Sequence, residues 1–218
     1  MTSRTAITSF PPWPSTNVNT ARRVLLLVLE GANDIDFLLR LTARLHLEAS
    51  DLPNLPALVH HGRVIPLPLG GGDAATWPLR FARLGYPEFH LYDREQDAEI
   101  AIRLQAIEKV NRRPDCCGFV TRKRSLENYL HPAAIAAAGE AEVGFGDEES
   151  VAEVVARARR PEDWTALSWR RRRQLVQQTK RRLNTVAVEQ MNLQRLAERD
   201  PEGEVLDWLR TLQRLLGE

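Results

Sequence analysis

Along the first two thirds of the chain, short unbroken apolar runs alternate with longer stretches in which apolar residues recur every three or four positions. Val24-Leu25-Leu26-Leu27-Val28-Leu29 is continuous rather than alternating, the pattern of a strand covered on both faces, and it stops at Glu30-Gly31. Ile35, Leu38, Leu39, Leu41 and Leu45 then mark one side of a helix over about 33–47, with Asn33 as its N-cap. A second strand begins at Val64-Ile65-Pro66-Leu67, breaks at Gly70-Gly71-Gly72 and leads into a helix over about 73–84. The third strand, Glu88 to Tyr92, ends at Asp93 and precedes a helix over about 97–111; the fourth, Cys116 to Val120, ends near Thr121.

Four strand-then-helix units in series predict an α/β fold, a mainly parallel central sheet with helices on both faces. From about residue 147 the pattern is helical only, with breaks at Pro161 and Pro201. Residues 1–20 are rich in Pro, Ser, Thr and Asn without apolar periodicity and are expected to be a disordered leader. The expected division is therefore 1–20 leader, 21–145 α/β core, and 146–218 a helical C-terminal extension packed on or beside that core.

Composition narrows the function classes without selecting one. The 218 residues are 43% apolar and 27% charged, and 30 basic residues nearly balance 29 acidic ones, so any pull on nucleic acid must be local. No apolar run reaches membrane-spanning length and the N-terminal segment lacks the apolar stretch of a signal peptide, which predicts a cytoplasmic protein without membrane contact. Cys116 and Cys117 are adjacent, a spacing that suits neither a zinc site nor a disulfide framework, and read as strand residues.

The acids carry the candidate chemistry. In open α/β sheets functional groups gather beyond the carboxyl ends of the strands, where loops converge. Glu30 closes the first strand and Asp34 follows one helical turn later; Asp93 closes the third, with Glu95 and Asp97 behind it; Glu127 follows the fourth. Carboxylates meeting in one crevice need a positive charge among them, and oxygen-only ligation favours Mg²⁺ or Mn²⁺. Two such ions would suit phosphodiester hydrolysis. Acids are also common in first helical turns for reasons of the helix dipole, so each one singly reads equally well as a solvated helix start.

Taken together, the segments resemble a known family. Leu29-Glu30-Gly31-Ala32-Asn33-Asp34 is similar to the first Toprim motif, Tyr92-Asp93-Arg94-Glu95 to its Asp-x-Asp motif, and Arg124-Ser125-Leu126-Glu127-Asn128-Tyr129-Leu130 to the Arg-x-x-Glu-Asn-Tyr-Leu segment of the Toprim domains in OLD (overcoming lysogenisation defect) nucleases. The likeness extends from about residue 22 to 215, including Thr179 to Asn184. It implies a Toprim-like fold and a metal-dependent endonuclease acting on DNA, possibly RNA, with Glu30, Asp34, Asp93, Glu95 and Glu127 as metal ligands. Glu30 is expected as ligand or as the base orienting water, and Lys180 as the lysine assisting at the phosphate. Two features depart from the family: Glu95 stands where the second Asp is usual, so that Glu95 or Asp97 completes the site, and no G-x-x-x-x-G-K-[ST] phosphate loop occurs, so an ATPase must be a separate subunit. The alternative is a catalytically inactive Toprim-like subunit that binds nucleic acid or regulates a partner. A homo-oligomer is compatible with either.

Between Arg157 and Arg182, ten basic residues face only Glu162 and Asp163. Arg170, Arg171, Arg172, Arg173 and Arg181 are therefore candidates for phosphate contact, as are Arg122, Lys123 and Arg124 beside the acidic crevice. A solvated helix face is the competing reading for the first group, and pairing with a ligand carboxylate for Arg124. Trp164, Trp169 and Trp208 are expected to pack rather than stack on bases.

Overall fold

The computed structural model describes residues 23–70, 73–95 and 98–217. The expected leader, Gly71, Gly72 and Asp97 lie outside the described residues. The strands are β1 (Leu25–Leu29), β2 (Val64–Pro68), β3 (Glu88–Tyr92) and β4 (Cys116–Val120). The helices are α1 (Ala32–His46), α2 (Leu55–His60), α3 (Ala98–Asn111), α4 (Pro132–Ala137), α5 (Val151–Ala158), α6 (Trp169–Arg182), α7 (Leu193–Arg199) and α8 (Glu204–Leu216). The sheet is all parallel, in the order β2-β1-β3-β4.

All five side chains of β1 are buried, as its unbroken apolar run requires of a central strand, while both edge strands keep partly exposed positions. Pro66 and Pro68 fall on the edge strand β2, where a missing ladder donor costs least. Alternate residues of β1 serve two cores. Leu25, Leu27 and Leu29 pack in the larger one with Phe37, Leu38, Leu41 and Leu45 of α1 and with Val205, Trp208, Leu209 and Leu212 of α8. Leu26 and Val28 meet Trp77, Tyr92, Ala106 and Ile107 on the other face. Helices thus cover both faces, and the C-terminal helical region contributes to the same core as β1. No helix among the described residues is long and apolar enough to cross a membrane.

The stretch expected as a helix over 73–84 is instead two short 3₁₀ turns, Ala74–Leu79 and Ala82–Leu84. Pro78 in its middle has no N–H to give and disfavours the α conformation of the residue before it, so a continuous α-helix cannot form. Cys116 and Cys117 lie in β4 as free thiols, half-buried rather than fully enclosed.

β3 carries two polar residues into the smaller core, and both are satisfied. Arg113 grips Glu88 through two hydrogen bonds of 2.8 Å, Glu88 meets His90 Nε2 at 2.6 Å, and His90 Nδ1 meets the Tyr92 hydroxyl at 2.7 Å. Gly118 of β4 makes room for this row. A Cβ there would lie 2.6 Å from Ile107 Cδ1 and 3.2 Å from His90 Cβ. Gly118→Ala is therefore expected to destabilise the fold by about 1–3 kcal/mol through overpacking, read as a lowered urea midpoint with unchanged slope. A midpoint at or above that of the parent would show that the neighbours yield freely.

Candidate functional site

The strand order turns in opposite directions on the two sides of β1, which opens a crevice beyond the carboxyl ends of β1 and β3. Leu29 pairs with Leu91, so Glu30 and Asp93 leave the sheet side by side. Asp34 arrives as the third residue of α1, where its Oδ2 accepts the N–H of Gly31 at 2.8 Å and so closes the helix start. Asp93 Oδ1 accepts the N–H of Leu126 at 3.1 Å, and Glu127 Oε2 accepts the Ser125 hydroxyl at 2.7 Å.

Each of these three carboxylates therefore has one oxygen fixed by a local donor. The other oxygens, Asp34 Oδ1, Asp93 Oδ2 and Glu127 Oε1, turn towards Lys180 Nζ at 3.8, 3.9 and 3.5 Å. Asn184 Nδ2 braces Glu127 Oε1 at 2.6 Å. Lys180 comes from α6 and Asn184 from a π-helical turn, Leu183–Ala187, that follows it. The wider winding of a π turn is often found at functional sites.

Burial dominates the electrostatics. It raises the Asp34 carboxyl from 3.8 to about 6, with Lys180 pulling it down and Glu127 and Glu30 pushing it up. Asp93 is raised well above the ordinary carboxylate range, first by burial, then by Asp34, against the pull of Lys180. Burial would lower Lys180, but Glu127, Asp93, Asp34 and Glu95 together outweigh it and raise the ammonium above its ordinary value. One ammonium does not neutralise three buried carboxylates.

Glu30 is placed differently. Its Oε1 accepts the N–H of Asp93 at 3.1 Å and Arg103 Nε at 2.9 Å, and its Oε2 accepts Arg103 Nη2 at 3.1 Å. Glu95 adopts a left-handed backbone, φ 54°, with its N–H on the carbonyl of Arg124 at 3.0 Å, and contributes to the field at Lys180. Such a φ is strained for a residue with a Cβ and occurs where the surroundings impose it.

The segment Glu127-Asn128-Tyr129-Leu130 divides its labour residue by residue. Glu127 faces the crevice. Asn128 Nδ2 donates to the carbonyls of Gly146 and Glu149, both at 3.0 Å, and so ties down the loop before α5. Tyr129 packs edge-on against Trp208 with ring centroids 5.2 Å apart and donates a hydrogen bond from its hydroxyl to Glu204, while Leu130 is buried in the core.

No family model, curated protein or solved structure matches this chain. The site is thus characterised by its own geometry.

Of the basic residues, Lys123 is buried against the Tyr129 ring and paired with Asp147 at 2.7 Å, Arg122 pairs with Glu202, and Arg124 donates to the Glu148 carbonyl at 3.3 Å rather than to a crevice carboxylate. Arg170, Arg171, Arg173 and Arg181 are exposed on α6 and Arg172 is half-buried. Arg171 joins Arg159, Arg160, Gln178 and Thr179 around a recess of about 370 Å³ between α5 and α6, and Thr179 adjoins Lys180. Trp208 and Trp164 are packed inside; Trp169 is exposed, with the Arg170 guanidinium 5.7 Å from its ring. A separate recess of about 650 Å³ is lined by Asp36, Arg40, Arg44 and Glu189 and contains none of the converged acids. Arg103, Ser125 and Asn184 were not foreseen as site residues. The four-residue step from Lys180 to Asn184, which puts both on one helical side, was the available signal.

Proposed function

We propose that the chain is a metal-dependent phosphodiesterase, a Toprim-type nuclease of the OLD kind that hydrolyses DNA, possibly RNA, as the effector of a separate ATPase subunit in a cytoplasmic defence or repair system. One observation carries the reading: Asp34, Asp93 and Glu127 each have one oxygen fixed by a local donor and the other aimed at a common cation.

The donor set fits a hard divalent ion. Asp34 Oδ1 is buried without any hydrogen-bond partner, and all three available donors are carboxylate oxygens, the chemistry of Mg²⁺ or Mn²⁺. As placed around the ammonium, no three such side chains among the described residues are close enough to share an ion, so loading requires them to draw inward. A bound ion would supply a Lewis acid that polarises the phosphoryl oxygen. Lys180, whose Nζ reaches all three acids from a helix that also carries the exposed arginines, balances charge building on the phosphate. Water attacks phosphorus, the bond to the leaving oxygen breaks, and that oxygen departs with a proton. The arginines of α6 hold the nucleic-acid backbone by charge, a contact that weakens with salt.

The alternative, an inactive binding or regulatory subunit, is favoured by Lys180 already standing among the acids, where it supplies part of their counter-charge. Supercoiled plasmid separates the two. The nuclease reading expects nicking in Mg²⁺ or Mn²⁺ that chelation stops; retention of DNA without cleavage of DNA or RNA in either metal would leave only the alternative.

A further inference from the structure

Glu30 is the acid of the crevice whose charge the protein already matches. Arg103 reaches it from α3 with two N–H donors, at 2.9 and 3.1 Å, and the Asp93 N–H adds a third. The guanidinium is held on every side: its third nitrogen donates to Glu99 one turn earlier, and it lies 5.7 Å from the centroid of the Trp77 ring. The Arg103 side chain is only 7% exposed, and a guanidinium does not give up its proton. Three donors on two oxygens, in fork geometry, leave Glu30 a poor candidate to turn a lone pair towards an ion.

The charge balance points the same way. With Glu30 matched by Arg103, the carboxylates of Asp34, Asp93 and Glu127, once all are deprotonated to receive an ion, face a single ammonium and have two negative charges in excess, the charge of one divalent ion. On the metal-dependent reading above, we propose that Arg103 is a built-in second cation. It occupies the place beside Glu30 that a second metal ion would take, and the chain works with one ion, held by Asp34, Asp93 and Glu127. Glu30 and Arg103 are then positioning residues. They act through the Asp93 backbone: Arg103 fixes Glu30, and Glu30 Oε1 accepts the Asp93 N–H while Asp93 Oδ2 faces the ion site.

Mn²⁺ titration of the full chain tests this by calorimetry and electron paramagnetic resonance, without recourse to activity. The expected result is one Mn²⁺ per chain, with the spectrum of an isolated ion and none of the exchange coupling of a pair about 4 Å apart. Glu30→Gln is expected to keep one ion, weakened by about tenfold to a hundredfold, as for a residue that supports a ligand without being one. Arg103→Gln, which frees Glu30, is expected to admit a second, weaker ion, and Arg103→Lys to keep one. Should Arg103→Gln fail to fold, the wild-type and Glu30→Gln stoichiometries still decide. Two ions per wild-type chain, or loss of an ion in Glu30→Gln, overturn the built-in cation and leave the nuclease reading standing. A wild-type chain that binds no Mn²⁺ overturns both.

Discussion

Asp93→Asn is expected to lower Mg²⁺- or Mn²⁺-dependent nicking by about a thousandfold, since Lewis-acid stabilisation is worth several kcal/mol and each 1.36 kcal/mol is tenfold in rate. The substitution is chosen for what it spares. Asparagine has the shape of aspartate, and its oxygen still accepts the Leu126 N–H that joins the end of β3 to the Glu127 segment. What it removes is a buried negative charge that the metal-free protein holds at a cost, as the raised carboxyl of Asp93 shows. Without divalent ions at neutral pH the variant should accordingly melt at or above the temperature of the parent. Activity lost together with stability would indicate a damaged fold, and nicking within tenfold of the parent would remove Asp93 from the site.

Lys180→Ala is expected to move three quantities at once. Nicking should fall by about a hundredfold to a thousandfold, the usual effect of deleting a donor that meets transition-state charge. The affinity for Mn²⁺ should rise, because the variant removes a tethered cation that shares the same oxygens. Stability without metal should acquire a steeper pH dependence. In the parent, Asp34 holds its proton to about 6 in the folded state against an ordinary value of 3.8. Between those limits the folded chain carries more protons than the unfolded one, so stability falls as pH rises through that window and stays reduced above it. Lys180 moderates this by pulling Asp34 and Asp93 down. Its loss extends the window upward and deepens the fall. Melting curves from about pH 4 to about pH 8, with and without Mg²⁺, read the effect, and Mg²⁺ should stabilise most at the high end. Equal pH profiles for variant and parent would show that the ammonium is not the counter-charge of these acids.

The elements that position the site were legible because their physics is local. A continuous apolar run of six residues that stops at Glu30-Gly31 has the length and flank of a strand covered on both faces, and a residue four positions beyond Glu30 falls in the first turn of the following helix. Asp93 could therefore be placed at a strand end, and Asp34 and Glu127 in the segments that follow the first and fourth strands, from the sequence alone. Arg103 could not. It lies in a helix whose pattern shows no reason for a buried guanidinium, and its partner Glu30 is distant in sequence. For Asn184 the sequence offers only its place four residues beyond Lys180; the π turn that carries it has no pattern of its own. The 73–84 stretch was misjudged by weighting apolar spacing over Pro78, whose effect on the backbone is the stronger constraint. The basic residues were legible as charge but not as partners: Lys123 and Arg122 are engaged by acids of later segments, Asp147 and Glu202.

The lysine and asparagine that complete the crevice come from the same C-terminal region as Trp208, Leu209 and Leu212, which belong to the one core that β1 and α1 also fill. The α/β core and the C-terminal region are therefore expected to fold and act as one unit. A fragment stopping after the sheet would lose part of that core and its ammonium in one cut, and truncation series on this chain report on folding wherever they seem to report on chemistry.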